Sequence, residues 1–374
     1  MSFVLNEEEQ MLRDSAKAFL AETAPVSALR KLRDADDQTG FSRDLWASMA
    51  EMGWTGIMVP EEFGGVDMGH AAAGFVLREM GRTLTASPFL STAVLAAAAF
   101  RLAGSDAQKS AWLPKIAAAE TVIAFAIDEK ARHDPSTIET TATRDGNGFR
   151  LNGKKRFVAC GAGADALLVA AKTEDGKTGL FIVPADAGGI TRTARRTVDS
   201  HLPADFVFED VRLEGDALLD GAEDSDAALA MVLDAGRAAL AAEALGVAEE
   251  AFDRTIDYIR EREQFGQPIG SFQGMQHRAA HLYSELELAR SLVIKALRTL
   301  DETPSQAPLW CAAAKAKATE VSRLAGSEGI QMFGGVGMTD EYDIGLYYKR
   351  AQAAGEHLGD DAWNAGRVSA LSGF

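Results

Sequence analysis

The sequence predicts an α+β fold of three parts in series: a helical N-terminal domain over 1–118, a middle β-barrel or sandwich domain over 119–220 and a C-terminal four-helix bundle over 221–374. Three observations carry this. Behind Asn6, a candidate N-cap for Glu7-Glu8-Glu9, the apolar residues Leu12, Ala16, Phe19 and Leu20 fall on one helical face. Between Thr121 and Leu213 the period changes, and short runs rich in valine, isoleucine and phenylalanine alternate with turns. After Asp226 the helical period returns, with Leu233, Leu240 and Val247 seven apart.

The elements follow in order. The N-terminal helices are broken at Pro25, near Pro60, at Gly64-Gly65 and at Pro88. Strands are expected at Val122 to Ile127, Phe149 to Leu151, Leu167 to Ala171, Leu180 to Val183 and Phe206 to Phe208, with Arg144-Asp145-Gly146-Asn147-Gly148 a hairpin turn by composition. Leu245, Phe252, Ile256 and Ile259 extend the stripe of the next helix, which Pro268 and Gly270 end. Further helices are expected from about Phe272 to Leu300, from Pro308 to Phe333, and from about Tyr342 to Leu371 with interruptions near Gly355 and Gly359. Long antiparallel helices of this kind read as a bundle.

Composition excludes several partners. With 38 Lys plus Arg against 55 acidic residues, the net charge of −17 repels nucleic acid and anionic lipid. The two cysteines, Cys160 and Cys311, suit neither a disulfide scaffold nor a metal cluster, and a reducing cytoplasm fits them. Cys160 reads as a small packing residue. The opening Met1-Ser2-Phe3-Val4-Leu5-Asn6 leads into acid where a signal peptide needs positive charge, and the alanine-rich run from Ala93 to Phe100 is too short to span a membrane. The expectation is a soluble cytoplasmic protein with no metal.

Two motifs carry chemistry. In Arg262-Glu263-Gln264-Phe265-Gly266-Gln267-Pro268-Ile269, an arginine at a helix end offers a fork of donors matched to phosphate oxygens, and Phe265 offers an apolar surface for a ring. Gln273 follows. About two helices later comes Gln331-Met332-Phe333-Gly334-Gly335, whose glycine pair lets backbone approach a ligand closely. The bland alternative for Arg262 is a solvated cation favoured by the helix dipole.

In this order and spacing the motifs resemble the acyl-CoA dehydrogenase family, and the resemblance runs from Glu7 to about Arg367. It implies an N-terminal helical domain, a middle β domain and a C-terminal bundle. It implies FAD as cofactor, an acyl-CoA as substrate in fatty acid or steroid side-chain catabolism, and electron-transfer flavoprotein as acceptor. The implied reaction removes the α proton to a carboxylate base while the β hydride passes to the flavin, leaving a trans-2-enoyl-CoA. Assembly is implied as a homo-oligomer, a dimer of dimers, or as a hetero-oligomer with a catalytic paralogue.

In relatives, the residues matching Arg262, Phe265, Gln273, Gln331, Gly334 and Gly335 reach the pyrophosphate and adenine of FAD held in a neighbouring subunit. Arg237 stands where many relatives place an arginine beside the thioester or CoA. The base is missing: counting from Gly335 by the family's spacing lands on Leu358, followed by the expected Gly359. Gly236 occupies the position of an alternative glutamate, and Glu243 lies seven residues further on. Around Leu358 the candidate acceptors are Glu356, His357 and Asp360, so the catalytic residue is unassigned.

The half of the site that serves the chain's own ring has drifted. Asp128-Glu129-Lys130-Ala131-Arg132-His133-Asp134-Pro135 stands where relatives carry Thr-Glu-Pro and then Ala-Gly-Ser-Asp, and Phe157-Val158-Ala159-Cys160 where they carry Trp-Ile-Thr-Asn. Phe157 can still cover a ring face, whereas Ala159 cannot donate the threonine's hydrogen bond. An ordinary β-domain loop without ligand is the alternative. Two readings follow: an acyl-CoA dehydrogenase with an unconventional base, or a non-catalytic subunit that completes the FAD site of a catalytic paralogue. A third, flavin monooxygenation, has nothing positive in its favour.

Overall fold

The computed structural model describes residues 5–374, so the first four residues of the acidic opening lie outside the description. Helices α1 (Glu7–Thr23), α2 (Val26–Asp34), α3 (Arg43–Glu51), α4 (Gly69–Thr83), α5 (Ala97–Ala103) and α6 (Asp106–Ala117) come first, with a π-helix at Phe89–Ala96 leading into α5. Strands β1 (Ile123–Ala126), β2 (Thr141–Asp145), β3 (Gly148–Val158), β4 (Ala166–Lys172), β5 (Thr178–Pro184), β6 (Ile190–Ala194) and β7 (Ala204–Leu213) follow. The chain then enters α7 (Ser225–Glu261), a hairpin of β8 (Glu263–Gln264) and β9 (Gln267–Pro268), and α8 (Gln273–Glu302), α9 (Ala307–Phe333), α10 (Ile344–Glu356) and α11 (Asp361–Leu371).

Asn6 caps α1 as its sequence suggests. Its side chain accepts from Glu9 N at 2.8 Å while the Glu9 carboxylate accepts from Asn6 N at 2.8 Å, the reciprocal pattern that satisfies two donors a helix start leaves over. The structure ends α7 at Glu261, seven residues before Pro268, which instead pairs with Glu263 in the β8–β9 hairpin. The last expected helix is two, with Leu358 and Gly359 in left-handed conformations between them.

Two compact units result. Of the described residues, one contains 5–29, 74–85 and 237–374 and the other 30–73 and 86–236, so the division falls within α2, within α4 and within α7.

The second unit is built on a mixed sheet in the order β1-β4-β2-β3-β7-β6, with β5 paired to β4 off that path. β1 runs parallel to β4, and β2–β3, β3–β7, β6–β7 and β4–β5 are antiparallel. β1 is buried throughout, as are the first six residues of β4 and of β5, which is why these strands read as continuous apolar runs rather than alternating ones. β2 and β6 escape a sequence reading because Thr-Ala-Thr-Arg-Asp and Ile-Thr-Arg-Thr-Ala lie mostly exposed. Gly146, with φ +62°, turns the β2–β3 hairpin.

In the first unit, α4 and α7 approach closely enough that backbone touches backbone. A Cβ on Gly246 would stand 1.9 Å from Arg78 O, and one on Gly81 would stand 2.2 Å from Glu243 O. Beside this crossing Arg78 Nε pairs with Glu249 at 2.7 Å, and Glu249 also takes Arg290 of α8 at 2.8 Å. Gly246→Ala must therefore push the helices apart. A urea midpoint lowered by the equivalent of about 1–3 kcal/mol is expected, and an unchanged midpoint would contradict the packing described.

Candidate functional site

The first part of the site is the hairpin that leaves α7. Arg262 N donates to Tyr258 O at 2.8 Å and Ile269 N donates to Arg262 O at 2.8 Å, closing the hairpin over two turn residues. Both, Phe265 at φ +56° and Gly266 at φ +80°, lie in the left-handed region that a tight hairpin twist requires. Glycine enters that region freely; a phenylalanine there is uncommon. Phe265 points its ring into solvent, 92% exposed, with only the edge of Phe272 at 6.1 Å beside it.

The second part is the end of α9. Tyr258, one turn before Arg262, stacks on Phe333 with ring centroids 4.1 Å apart, donates its hydroxyl to Phe333 O at 3.3 Å, and meets Tyr342 edge-on at 5.9 Å. This aromatic cluster ties the root of the hairpin to the residue immediately before Gly334-Gly335. Gly334 has φ +69°, and a Cβ on either glycine would meet nothing within 4 Å, so the backbone there is open to a ligand.

Arg262, Gln273 and Gln331 are exposed and none of their side chains bonds to a described residue. These three polar side chains thus stand without internal partners among the described residues, on a chain of net charge −17. A guanidinium fork, uncovered glycine backbone and an exposed aromatic ring are groups whose chemistry matches phosphate oxygens and a planar base.

Position 358 contrasts with this openness. Leu358 is fully buried with φ +56°, and its carbonyl accepts from Arg237 Nε at 3.3 Å. Arg237 is itself buried, its guanidinium 4.8 Å from the Trp363 ring centroid. Of the acidic residues named from the sequence, Glu243 takes Arg350 Nε at 2.7 Å, Glu356 takes Arg323 at 2.6 Å, and Asp360 caps α11 by accepting from Trp363 N at 2.7 Å; Asp361 takes Arg323 at 2.5 Å.

In the other unit, the loop after β1 is held by charge rather than by small residues. The Asp128 carboxylate meets His133 Nδ1 at 2.7 Å, and Asp128 O accepts from Arg156 N at 2.7 Å. Glu129 pairs with the fully buried Lys155 at 2.6 Å and accepts from Glu139 N and Thr140 N at 2.7 and 3.0 Å, while Lys155 also donates to Ile127 O at 3.1 Å. Burial raises the Glu129 carboxyl, but the Lys155 charge and these donors outweigh it and hold the carboxyl below its ordinary value.

Phe157 is 44% exposed, with φ +50°, its N–H on Asp205 at 3.0 Å and the Arg156 guanidinium 5.2 Å from its ring centroid. Cys160 is half-buried rather than a core residue, its thiol donating to Ser87 O at 3.3 Å.

Sequence reasoning missed the Asp128–His133 pair and Lys315. A signal existed for the latter: Cys311, Lys315, Ala318 and Ser322 form one buried stripe of α9, and a lysine on such a stripe is out of place.

Family models describing the N-terminal, middle and C-terminal domains of acyl-CoA dehydrogenase match residues 6–120, 124–211 and 226–369. Acyl-CoA dehydrogenase FadE12 of Mycobacterium tuberculosis (strain ATCC 25618 / H37Rv) is 34% identical over 371 residues, covering 94% of this chain and 92% of that protein. Among solved structures, a variant of the Tcur3481–Tcur3483 steroid ACAD is similar at TM-score 0.89 and 31% identity, covering 98% of each chain. The ChsE4–ChsE5 complex from Mycobacterium tuberculosis is similar at TM-score 0.91 and 27% identity, covering 100% of each. Three domain matches in the expected order over nearly the whole length, on a fold with the expected helical, β and helical parts, place this chain in the acyl-CoA dehydrogenase family of FAD flavoproteins.

Proposed function

We propose that this chain is the base-less subunit of a heteromeric acyl-CoA dehydrogenase, lending Arg262, Phe265, Gln273, Gln331 and the Gly334-Gly335 backbone to FAD held by a catalytic partner of the same family. The observation that carries the reading is an asymmetry. Arg262, Gln273 and Gln331 are exposed and unpaired among the described residues, whereas residue 358 is a buried leucine and Glu243, Glu356 and Asp360 already have partners.

The division of labour follows from the chemistry. Bound FAD supplies the acceptor for the substrate's β hydride and passes the electrons on to electron-transfer flavoprotein. Removing the α proton needs a carboxylate, and loss of a general base lowers the rate about 100- to 10,000-fold. Leu358 accepts no proton, and Arg237 donates to the Leu358 carbonyl and lies 4.8 Å from the Trp363 ring centroid. Arg262 holds phosphate charge, Gln273 and Gln331 add neutral donors, and Phe265 covers the base. The names of two similar structures, Tcur3481–Tcur3483 and ChsE4–ChsE5, pair two chains, which supports a heteromer, and the steroid ACAD supports a bulky acyl-CoA as substrate.

The test is to purify the chain alone and co-expressed with a dehydrogenase encoded by an adjacent gene. Alone, it is expected to show no bleaching of any bound flavin by short, branched or bulky acyl-CoA under anaerobic conditions. Co-expressed, the two chains are expected to co-purify, gain flavin absorbance and bleach. Bleaching by the isolated chain would overturn the reading, as would failure of every such partner to co-purify or to gain flavin.

A further inference from the structure

Lys315, on α9, is 1% exposed, yet its ammonium meets only uncharged oxygens. Gly355 O lies at 2.9 Å, Gly359 O and Thr319 Oγ1 at 3.1 Å, and Ala354 O at 3.4 Å. From α11, Asn364 Nδ2 donates to Gly359 O and Asp360 O, both at 2.9 Å, and from α7, Arg237 Nε reaches Leu358 O at 3.3 Å. The successive carbonyls of 358, 359 and 360 therefore each have a side-chain donor.

Two unfavourable features meet in this turn. A leucine held at φ +56° carries backbone strain. Taking a lysine charge out of water is costly as well, and uncharged oxygens repay it only in part. Ending α10 requires neither, since a C-terminal glycine and water satisfy the last carbonyls of most helices. The arrangement makes sense if the orientation of residue 358 is itself what is being fixed.

We infer that Lys315 is a positioning residue, which with Asn364 and Arg237 locks the turn so that the side chain at 358 is presented in one orientation whether or not a ligand is bound. The functional meaning rests on the reading of 358 as the family's base position: this chain keeps the frame of a base-bearing turn while carrying leucine in it. The lock itself is independent of flavin and partner, so its test stands or falls separately.

The charged groups facing Lys315 are Arg323 on α9, Arg237 on α7, Glu356 at the end of α10 and Asp361 on α11. Burial, then the Arg323 and Arg237 charges, lower the Lys315 pKa from 10.5 to about 7. When the turn opens, the lysine returns to its ordinary value and takes up a proton. The closed turn is therefore favoured increasingly as pH rises above about 7, and this gain is absent below it.

The experiment is amide hydrogen exchange of the full chain from pH 6 to 9, corrected for intrinsic rates. It follows the amides of His357, Trp363 and Asn364, which are bonded within the turn and its flanking helices. In the wild type their protection is expected to rise by up to tenfold per pH unit above about pH 7. In Lys315→Met it is expected to be at least about tenfold lower at pH 9 and flat with pH, since buried carbonyls lose their donor. Amides of α8 are expected to be unchanged. Lys315→Gln, which keeps a donor without a charge, carries the same flat-profile measurement should the methionine variant not fold. Protection in the variants equal to wild type, a pH slope that survives removal of the lysine, or loss spread evenly through α8 would each overturn the lock.

Discussion

Arg262→Gln is expected to strip flavin from the assembled enzyme. A charge-assisted fork on phosphate contributes about 1.5–3 kcal/mol, so affinity for FAD falls roughly 10- to 150-fold. Arg262→Lys keeps the charge but not the planar fork and is expected to fall between. Arg260, two residues earlier on α7 and 3.9 Å from Asp257, serves as the control, because Arg260→Gln removes the same charge while leaving the Arg262 fork in place. Flavin content per assembly, read by absorbance after gel filtration, makes the measurement. Retention equal to wild type in Arg262→Gln would remove the dinucleotide grip from the account.

Lys155→Met is expected to produce the largest loss of stability in the β-rich unit. Lys155 and Glu129 are both buried, and breaking such a pair by removing one partner costs about 3–5 kcal/mol, because the remaining charge keeps its desolvation without its attraction. The sign with pH follows from the carboxyl. Glu129 is held below its ordinary value of 4.5, so its contribution is present above that value and lost as acid protonates it. The methionine variant lacks most of that acid-side dependence. Urea midpoints measured from pH 3 to 7 test both statements, and a midpoint at pH 7 within error of wild type would refute the first.

The fold was legible where burial leaves a period. α7 announced itself by Leu233, Leu240 and Val247, and β1, β4 and β5 by unbroken apolar runs. β2 and β6 were silent, since residues that face water on an edge or a hairpin carry no hydrophobic pattern. The site divides the same way. The candidate residues Arg262, Phe265, Gln273, Gln331 and the glycine pair were legible as motifs because they sit at helix ends and turns in a recognisable order and spacing. Leu358 was legible only as a count from Gly335, and its reading as the base position belongs to the proposal. What surrounds position 358 was not: Lys315 reaches Gly359 O from 44 residues upstream, and the helix packing that buries that lysine has no local trace. The Asp128–His133 contact likewise depends on a loop closing on itself after β1.

The two left-handed residues at the hairpin tip, Phe265 and Gly266, have a thermodynamic consequence. A short loop that must choose its shape when a ligand arrives forfeits part of its binding free energy to ordering, roughly 1–2 kcal/mol for each residue fixed. Here the turn geometry, the β8–β9 pairing and the Tyr258–Phe333 stack settle that entropy during folding. Under the proposed reading, a dinucleotide would meet a claw already shaped, and its residence time would depend on how fast contacts break rather than on how often a mobile segment closes.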